Sequence, residues 1–190
     1  MPAEPHGQPA LDSELAALIV VRIRDIADYP RPGVLFKDIT PLLADGAAFS
    51  AVVTGLAAGQ LRRGEPGGVD KVAGIEARGF ILAAPVACVL GSGFVPIRKQ
   101  GKLPGPTYAQ SYDLEYGNAT IEVRQDAFAP GDRVLLVDDV LATGGTAAAS
   151  AELVRRSGAT VAGIVVLLEL GFLHGRSRLP DLPVSALVAV

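Results

Sequence analysis

The segment VLLVDDVLATGGT, from Val134 to Thr146, combines residue types that bind phosphorylated sugars. Its apolar start predicts a buried strand, and Asp138 and Asp139 follow at the end where parallel sheets bind ligands. Carboxylates at that place suit ribose hydroxyls or a hydrated magnesium ion. The two glycines that come next let the backbone approach an anion closely, at the N-terminus of a predicted helix. We therefore predict a phosphate-binding loop formed by Ala142, Thr143, Gly144, Gly145 and Thr146.

A tight turn between a strand and a helix is the simpler interpretation of this segment. In that case Thr143 or Thr146 caps the helix, and the two acids are solvated. A cap accounts for one threonine but leaves the paired acids and the paired glycines without a role. No other nucleotide-binding or nucleophile motif competes, because the chain contains no G-x-G-x-x-G, G-x-x-x-x-G-K-S/T or G-x-S-x-G sequence.

Cations form a second group at the predicted end of another strand. Arg98, Lys99 and Lys102 occur within five residues with no acid between them, so they suit a ligand that carries several negative charges. A solvated run of charge explains these three residues alone equally well. Arg78 follows the predicted strand Lys71 to Ile75, and we expect it at the same edge of the sheet.

Short apolar runs alternate with helical patterns through most of the chain, which predicts a parallel sheet covered by helices on both faces. Residues 99–126 differ, because they contain glycines and prolines and then two candidate antiparallel strands, around 111–114 and 120–123. A long loop inside a compact domain is usually functional. The other predicted strands are 71–75, 94–98, 133–137 and 160–168, and the predicted helices are 12–26, 47–61, 80–90 and 146–157.

Length, composition and charge limit the class of protein. A chain of 190 residues that is 49% hydrophobic and 19% charged fits one domain, which we place at 11–190 after a disordered tail at 1–10. Cys88 is the single cysteine and only two histidines accompany it, so we expect no disulfide, no zinc cluster, a buried thiol and a cytoplasmic location. A net charge of −3 argues against a broad nucleic-acid surface.

The uncharged run from Gly79 to Ile97 has the composition of a membrane span. Pro85, Pro96 and a Gly-Ser-Gly turn between them would break a spanning helix. We therefore predict a buried helix followed by a buried strand, and no membrane association.

The segment around the acid pair resembles the phosphoribosyl pyrophosphate signature of the type I phosphoribosyltransferases. Further matches follow in that family's order across most of residues 29–170, and they are most similar to its adenine-specific members. The matching segments are PGVLFKDITPLL (32–43), GIEARGF (74–80), IRKQGKLPGPT (97–107), SYDLEYG (111–117) and VLLEL (166–170).

The resemblance implies a type I phosphoribosyltransferase fold: a central parallel sheet with helices on both faces, an N-terminal hood, and a flexible lid loop at 99–112. It also implies a homodimer that converts adenine and phosphoribosyl pyrophosphate to AMP and pyrophosphate. Magnesium would be held mainly by the substrate and by water, with no protein metal site. The three cations and Arg78 would bind pyrophosphate, and a cis peptide would join Ala77 to Arg78.

The resemblance also places the adenine site. Phe36 would stack on the purine, while backbone groups near Leu35 and Lys37 would contact its Watson–Crick edge and Leu170 would lie on the other side of the base. Arginine is common in the family at the position of Lys37. Glu115 matches an acid near the imidazole edge of the base, with Tyr116 beside it, so the resemblance implies Glu115 and Arg78 as the catalytic residues.

Leu35 and Phe36 have a simpler interpretation as ordinary core residues, and Glu115 as a solvated hairpin acid. Two other functions also stay open: a transferase of the same fold for another base, such as xanthine or orotate, and a non-catalytic regulator that senses phosphoribosyl pyrophosphate. The regulator would need an added basic segment for nucleic acid, and the acidic, proline-rich start of the chain supplies none.

Overall fold

The computed structural model describes residues 9–113 and 118–190. Contacts between residues divide the chain into two compact units, one up to Gly55 and the other from Leu56 to Val190. The domain at 11–190 stays a prediction, and residues 1–8 of the predicted tail lie outside the described residues.

The first unit contains helix α1 (Pro9–Val20), strands β1 (Arg24–Ala27) and β2 (Leu35–Asp38), helix α2 (Thr40–Ala44) and all but the last two residues of helix α3 (Gly46–Ala57). The predicted helix 12–26 is wrong beyond Val20, because β1 pairs antiparallel with β2 and places Ile26 opposite Phe36. Pairing between strands here overrides the helical spacing of isoleucines along the sequence. The predicted helix 47–61 is confirmed as α3, although it ends earlier.

The second unit is built around a seven-stranded sheet. Its strands are β3 (Lys71–Ile75), β4 (Gly93–Lys99), β5 (Thr107–Asp113), β6 (Asn118–Arg124), β7 (Arg133–Leu141), β8 (Thr160–Glu169) and β9 (Val184–Ala189). Their order in the sheet is β5-β6-β4-β3-β7-β8-β9. Neighbouring strands are parallel from β4 through β3, β7 and β8 to β9, while β6 is antiparallel to both β4 and β5. The predicted strands are confirmed, except that Leu114 lies outside the described residues. The prediction of a loop over 99–112 is wrong from Thr107 onward, because β5 begins there and pairs with β6. Strand β9 was not predicted.

In the described part of the second unit, two helices cover this sheet. Helix α4 (Arg78–Leu90) joins β3 to β4, and α5 (Gly145–Arg156) joins β7 to β8. The two crossovers lead in opposite directions along the strand order, so right-handed connections place the helices on opposite faces. The predicted fold class is therefore confirmed.

Helix α4 and strand β4 account for the uncharged run at 79–97. One face of α4 buries Leu82, Val86 and Leu90, while Ile81 and Cys88 are exposed on the other. The prediction of a buried thiol is wrong, because Cys88 falls on the helix face turned away from the sheet. No helix within residues 9–113 and 118–190 is long and apolar enough to cross a membrane.

Candidate active site

Strands β3 and β7 lie side by side at the centre of the sheet, and each leads into a different helix. The turn after β3 contains Glu76 and Ala77 and opens α4, while the turn after β7 contains residues 142–144 and opens α5. Open α/β sheets bind ligands outside the carboxyl ends of their strands, at the point where the strand order reverses. The predicted sugar site and the predicted Arg78 site therefore share one edge of the sheet.

The acid pair lies at the end of β7 and faces the start of α4. Oδ2 of Asp139 forms an ion pair with Nη2 of Arg78 at 2.6 Å. The two groups are not aligned as a hydrogen bond, and within the described part of the chain Oδ2 of Asp139 accepts none. The backbone N–H of Asp139 donates to Oδ1 of Asp138 at 2.9 Å. The structure thus brings together three of the predicted residues.

Burial raises the pKa of Asp138 well above its ordinary value, and the negative charge of Asp139 adds to this effect. The Asp139 amide and the Arg78 guanidinium act in the opposite direction. Asp138 keeps partial exposure to solvent, which limits how far burial raises the pKa. The ionised form of Asp138 is therefore costly in the folded protein, which is common for functional carboxyl groups.

Gly79 was not predicted as a site residue, although it lies in the matched segment GIEARGF. A Cβ at Gly79 would lie 2.8 Å from Oδ1 of Asp138 and 2.9 Å from the carbonyl oxygen of Val137. Only a residue without a side chain fits there. Gly79 therefore allows the first turn of α4 to approach the acid pair.

The predicted phosphate loop surrounds a cavity of about 60 Å³. Asp138 and all five loop residues line it, together with apolar residues of neighbouring strands. Gly144 is the N-cap of α5 with φ of +79°, so a glycine begins the helix and neither threonine caps it. A larger cavity of about 270 Å³, lined by residues such as Lys71, Phe94 and Arg124, contains none of the predicted site residues.

Gly144 also packs against a second glycine. A side chain at Gly144 would overlap the carbonyl oxygen of Gly175, and one at Gly175 would overlap the carbonyl oxygen of Ala142. Gly175 lies in the 3-10 turn Gly175–Arg178, after β8. The sequence signal for this residue is weak, because a single glycine 31 positions away is not part of any phosphate motif.

Glu76 accepts hydrogen bonds from the cationic segment 98–102, and it was not among the predicted site residues. Its Oε2 accepts a hydrogen bond from the Lys99 amide at 2.9 Å and one from Nε of Arg98 at 3.2 Å. Nη1 of Arg98 donates to the carbonyl oxygen of Lys102 at 3.0 Å, while the side chains of Lys99 and Lys102 are exposed. Burial alone would raise the pKa of Glu76, but the Lys99 amide and Arg98 outweigh it, so the pKa is lowered.

The predicted cis peptide is misplaced by one residue. The cis bond joins Glu76 to Ala77, whereas the prediction placed it between Ala77 and Arg78. The residue types alone do not show which of two adjacent non-proline peptide bonds in this turn is cis.

The predicted base-binding residues of the first unit lie on β2. Leu35 is 52% exposed and Phe36 is half-buried, so neither is an ordinary core residue. The Phe36 ring contacts the Tyr29 ring edge-on, with centroids 5.1 Å apart. Nζ of Lys37 bonds Oδ1 of Asp25 at 2.8 Å, so the lysine side chain has an acidic neighbour on β1.

The other base-side predictions are only partly described. Leu170 follows β8 in the second unit, and its amide donates to the carbonyl oxygen of Leu141 at 2.9 Å. Glu115 and Tyr116 lie outside the described residues. Within 9–113 and 118–190, no group of three or more His, Cys, Asp or Glu side chains is placed to hold a metal ion.

Comparisons with known proteins identify the family. The model of the phosphoribosyl transferase domain matches residues 42–182. An adenine phosphoribosyltransferase of Streptomyces galbus is 59% identical over 182 residues, which cover 94% of this chain and 98% of that protein.

Solved structures give the same result. The adenine phosphoribosyltransferase of Thermoanaerobacter pseudethanolicus has a TM-score of 0.86 and 45% identity, covering 92% of this chain and 99% of that one. The Saccharomyces cerevisiae enzyme, solved with an imino-altritol bisphosphate and adenine, has a TM-score of 0.84 and 35% identity with the same coverage. Sequence and fold therefore agree over nearly the whole chain, which belongs to the adenine phosphoribosyltransferase family.

Proposed function

We propose that this chain transfers the phosphoribosyl group of phosphoribosyl pyrophosphate to adenine and releases AMP and pyrophosphate, as an enzyme of purine salvage. The observation that carries this proposal is the acid pair Asp138–Asp139, which lies directly before the glycine loop and against Arg78. The names of the relatives, and the adenine bound to the yeast protein, support the choice of base.

The ribose 5-phosphate part of the substrate is bound by β7 and the loop after it. Asp138 and Asp139 accept hydrogen bonds from the ribose hydroxyls, because adjacent carboxylates suit a diol. Ala142, Thr143, Gly144, Gly145 and Thr146 hold the 5′-phosphate through backbone N–H groups, threonine hydroxyls and the N-terminus of α5.

Pyrophosphate is held by Arg78, Arg98, Lys99 and Lys102. N9 of adenine forms a bond to C1′ of the ribose while the bond from C1′ to the pyrophosphate oxygen breaks, and pyrophosphate leaves with the electron pair. The proton of the base is lost as the new bond forms. Cations that face the leaving group stabilise its increasing charge, so this chain contributes mainly positioning and electrostatic stabilisation.

Magnesium fits this site as an ion carried mainly by the substrate. Asp138 and Asp139 supply carboxylate oxygens, which magnesium prefers, but the described residues form no larger acidic cluster. When bound, the ion neutralises charge on the pyrophosphate and so favours its departure. The two acids would hold it through the ribose hydroxyls and through water.

Leu35, Phe36 and Lys37 are proposed to contact adenine, and for Leu170 the same role rests on the family resemblance alone. The exposure of Leu35 supports this assignment, since an apolar side chain that is 52% exposed is available to cover a flat base. For Lys37 we propose a backbone contact, because its side chain already bonds Asp25. Glu115, with Tyr116 beside it, would accept a hydrogen bond from the protonated N7 of the base and make N9 a better nucleophile.

The homodimer is proposed on the family resemblance. The cytoplasmic location is proposed because the sequence has a single cysteine, which is typical of proteins in a reducing compartment. Sedimentation at micromolar protein and cell fractionation test these two points separately. A monomer that is fully active would contradict the first, and export of the protein would contradict the second.

The test of the proposed function is adenine-dependent release of pyrophosphate with magnesium present, measured with adenine, hypoxanthine, guanine, xanthine and orotate. We expect adenine to react fastest, and the Asp138→Asn/Asp139→Asn variant to lose about hundredfold or more in rate. A faster reaction with xanthine or orotate would reassign the base. Salt-sensitive DNA binding without turnover of any base would replace the enzyme by a regulator.

A further inference from the structure

The turn that follows β8 packs against the backbone of the phosphate loop. The backbones of Gly144 and Gly175 are in direct contact, with no side chain between them. A Cβ at Gly175 would also lie 3.1 Å from the amide nitrogen of Gly144. A displacement of Gly175 therefore displaces the backbone of the phosphate loop at Ala142 and Gly144.

An ion pair fixes the position of Gly175. Glu169, the buried last residue of β8, binds Arg176 at two points, Nε to Oε1 at 2.7 Å and Nη2 to Oε2 at 2.7 Å. Nη1 of Arg176 also donates to the carbonyl oxygen of Val184 at 2.7 Å, at the start of β9. Arg176 directly follows Gly175, so the ends of two strands hold this glycine in place.

The far end of the turn is also anchored. Leu179 is 4% exposed and belongs to the apolar core between α5 and the sheet. The chain after Gly175 is therefore fixed at two points, by the ion pair of Arg176 and by the burial of Leu179. A fixed turn in contact with a ligand-binding loop preorganises that loop.

We propose that Gly175, together with the Glu169–Arg176 ion pair, positions the phosphate loop for the 5′-phosphate of the substrate. The inference rests on the proposed function, in which this loop binds that phosphate. None of the three residues contacts the substrate in this arrangement. The pyrophosphate side depends on a different turn, the one that opens α4, and does not depend on them.

The test is the Gly175→Ala variant. The φ of Gly175 lies outside the left-handed region, so alanine is compatible with the backbone and the substitution changes only the contact with the loop. We expect its Kd for ribose 5-phosphate and its KM for phosphoribosyl pyrophosphate to rise roughly tenfold or more. The kcat, the KM for adenine and the Kd for pyrophosphate with magnesium should stay within about twofold. A merely destabilised protein would instead lower the apparent kcat and leave these constants unchanged.

Gly171→Ala is the matched control, because a Cβ there lies no closer than 3.7 Å to the nearest atom, the carbonyl oxygen of Val190. It belongs to the same connection between β8 and β9 and should bind ribose 5-phosphate normally. Unchanged ribose 5-phosphate binding in folded Gly175→Ala would overturn the proposal, as would an equal loss of pyrophosphate binding.

If Gly175→Ala does not fold, Arg176→Lys carries the test, with Arg178→Lys as its control. Lysine keeps the charge but loses the two-point contact with Glu169, so we expect a rise of roughly threefold in the Kd for ribose 5-phosphate. Normal binding in this variant would overturn the proposal. AMP formation by the wild-type protein reports the proposed function separately, since it can fail while Gly175 still controls ribose 5-phosphate binding.

Discussion

Arg78 and Asp139 form an ion pair, 2.6 Å from Nη2 to Oδ2, that joins a residue proposed to bind pyrophosphate to one proposed to bind ribose. Asp139 is buried, while the side chain of Arg78 is 34% exposed. Each group thus neutralises the other. The pair couples the turn after β3 to the end of β7.

We expect Arg78→Ala to lower kcat/KM about hundredfold, because a cation that faces the leaving group is lost. The buried carboxylate of Asp139 then lacks its ion-pair partner, so the free energy of unfolding should fall by about 1–3 kcal/mol. Adding Asp139→Asn removes the uncompensated charge and should recover stability without recovering activity. Thermal unfolding and steady-state kinetics on the single and double variants measure both effects. Equal stability of Arg78→Ala and the double variant would contradict this account.

Asp138→Asn should stabilise the protein while it impairs catalysis. The pKa of Asp138 is higher in the folded state than in the unfolded state, where it is about 3.9. As the pH rises above that value, the cost of ionising Asp138 in the folded protein therefore lowers the free energy of unfolding. Asparagine keeps an oxygen for the Asp139 amide and carries no charge. The Tm of the variant should therefore exceed that of the wild type at neutral pH, and the difference should vanish near pH 4.

A constant difference in Tm across this range would show that the charge of Asp138 is not the cause. Asp132→Asn is a suitable control, since Asp132 is a loop acid that bonds the Ala129 amide and has no part in the site.

Glu76 should act through geometry, because it bonds the Lys99 amide and Arg98. We expect Glu76→Ala to raise the KM for phosphoribosyl pyrophosphate roughly tenfold with the KM for adenine unchanged. Glu76→Gln keeps an acceptor for the Lys99 amide and should recover most of that loss. If glutamine were as damaging as alanine, the charge of Glu76 would matter more than its position.

The lowered pKa of Glu76 makes stability depend on pH in the opposite direction from the raised pKa of Asp138. Its contribution to stability is present above the unfolded pKa of about 4.3 and is lost as the pH falls through the folded value. Glu76→Gln should therefore lower Tm at neutral pH, and by less at acidic pH.

Lys99 and Lys102 are exposed, and their role should depend on charge more than on geometry. We expect Lys99→Ala/Lys102→Ala to raise the KM for phosphoribosyl pyrophosphate about tenfold at low salt. The dependence of that KM on ionic strength should become weaker, because two of the attracting charges are gone. Arg155→Ala, which removes an exposed cation from the end of α5, should change neither quantity.

Much of the sheet, and the position of the acid pair beside the glycine loop, could be predicted, because apolar strands, glycines and acids occur together along the sequence. Features that depend on distant partners could not. Ile26 has helical spacing but pairs with Phe36 on a strand, and β9 is a short apolar run whose place follows only from its pairing with β8.

The unpredicted site residues share the same cause. Glu76 bonds Lys99, which lies 23 residues away, and Gly175 meets Gly144 only after β8 and its turn have formed. Gly79 is recognisable once its contact with Asp138 is known, but its neighbours along the chain give no sign of it. Residues that belong to one short motif could therefore be predicted, whereas residues that act through a contact between distant segments of the chain could not.

The reversal of strand order between β3 and β7 has a consequence for how the site can evolve. The turn that leads into α4 and the turn that leads into α5 are supported by helices on opposite faces of the sheet. Substitutions that change the packing of α5 can therefore alter the phosphate loop alone, whereas substitutions that shift α4 also reach the acid pair, because Arg78 and Gly79 contact it. Selection can act on the 5′-phosphate end of the site as a separate trait.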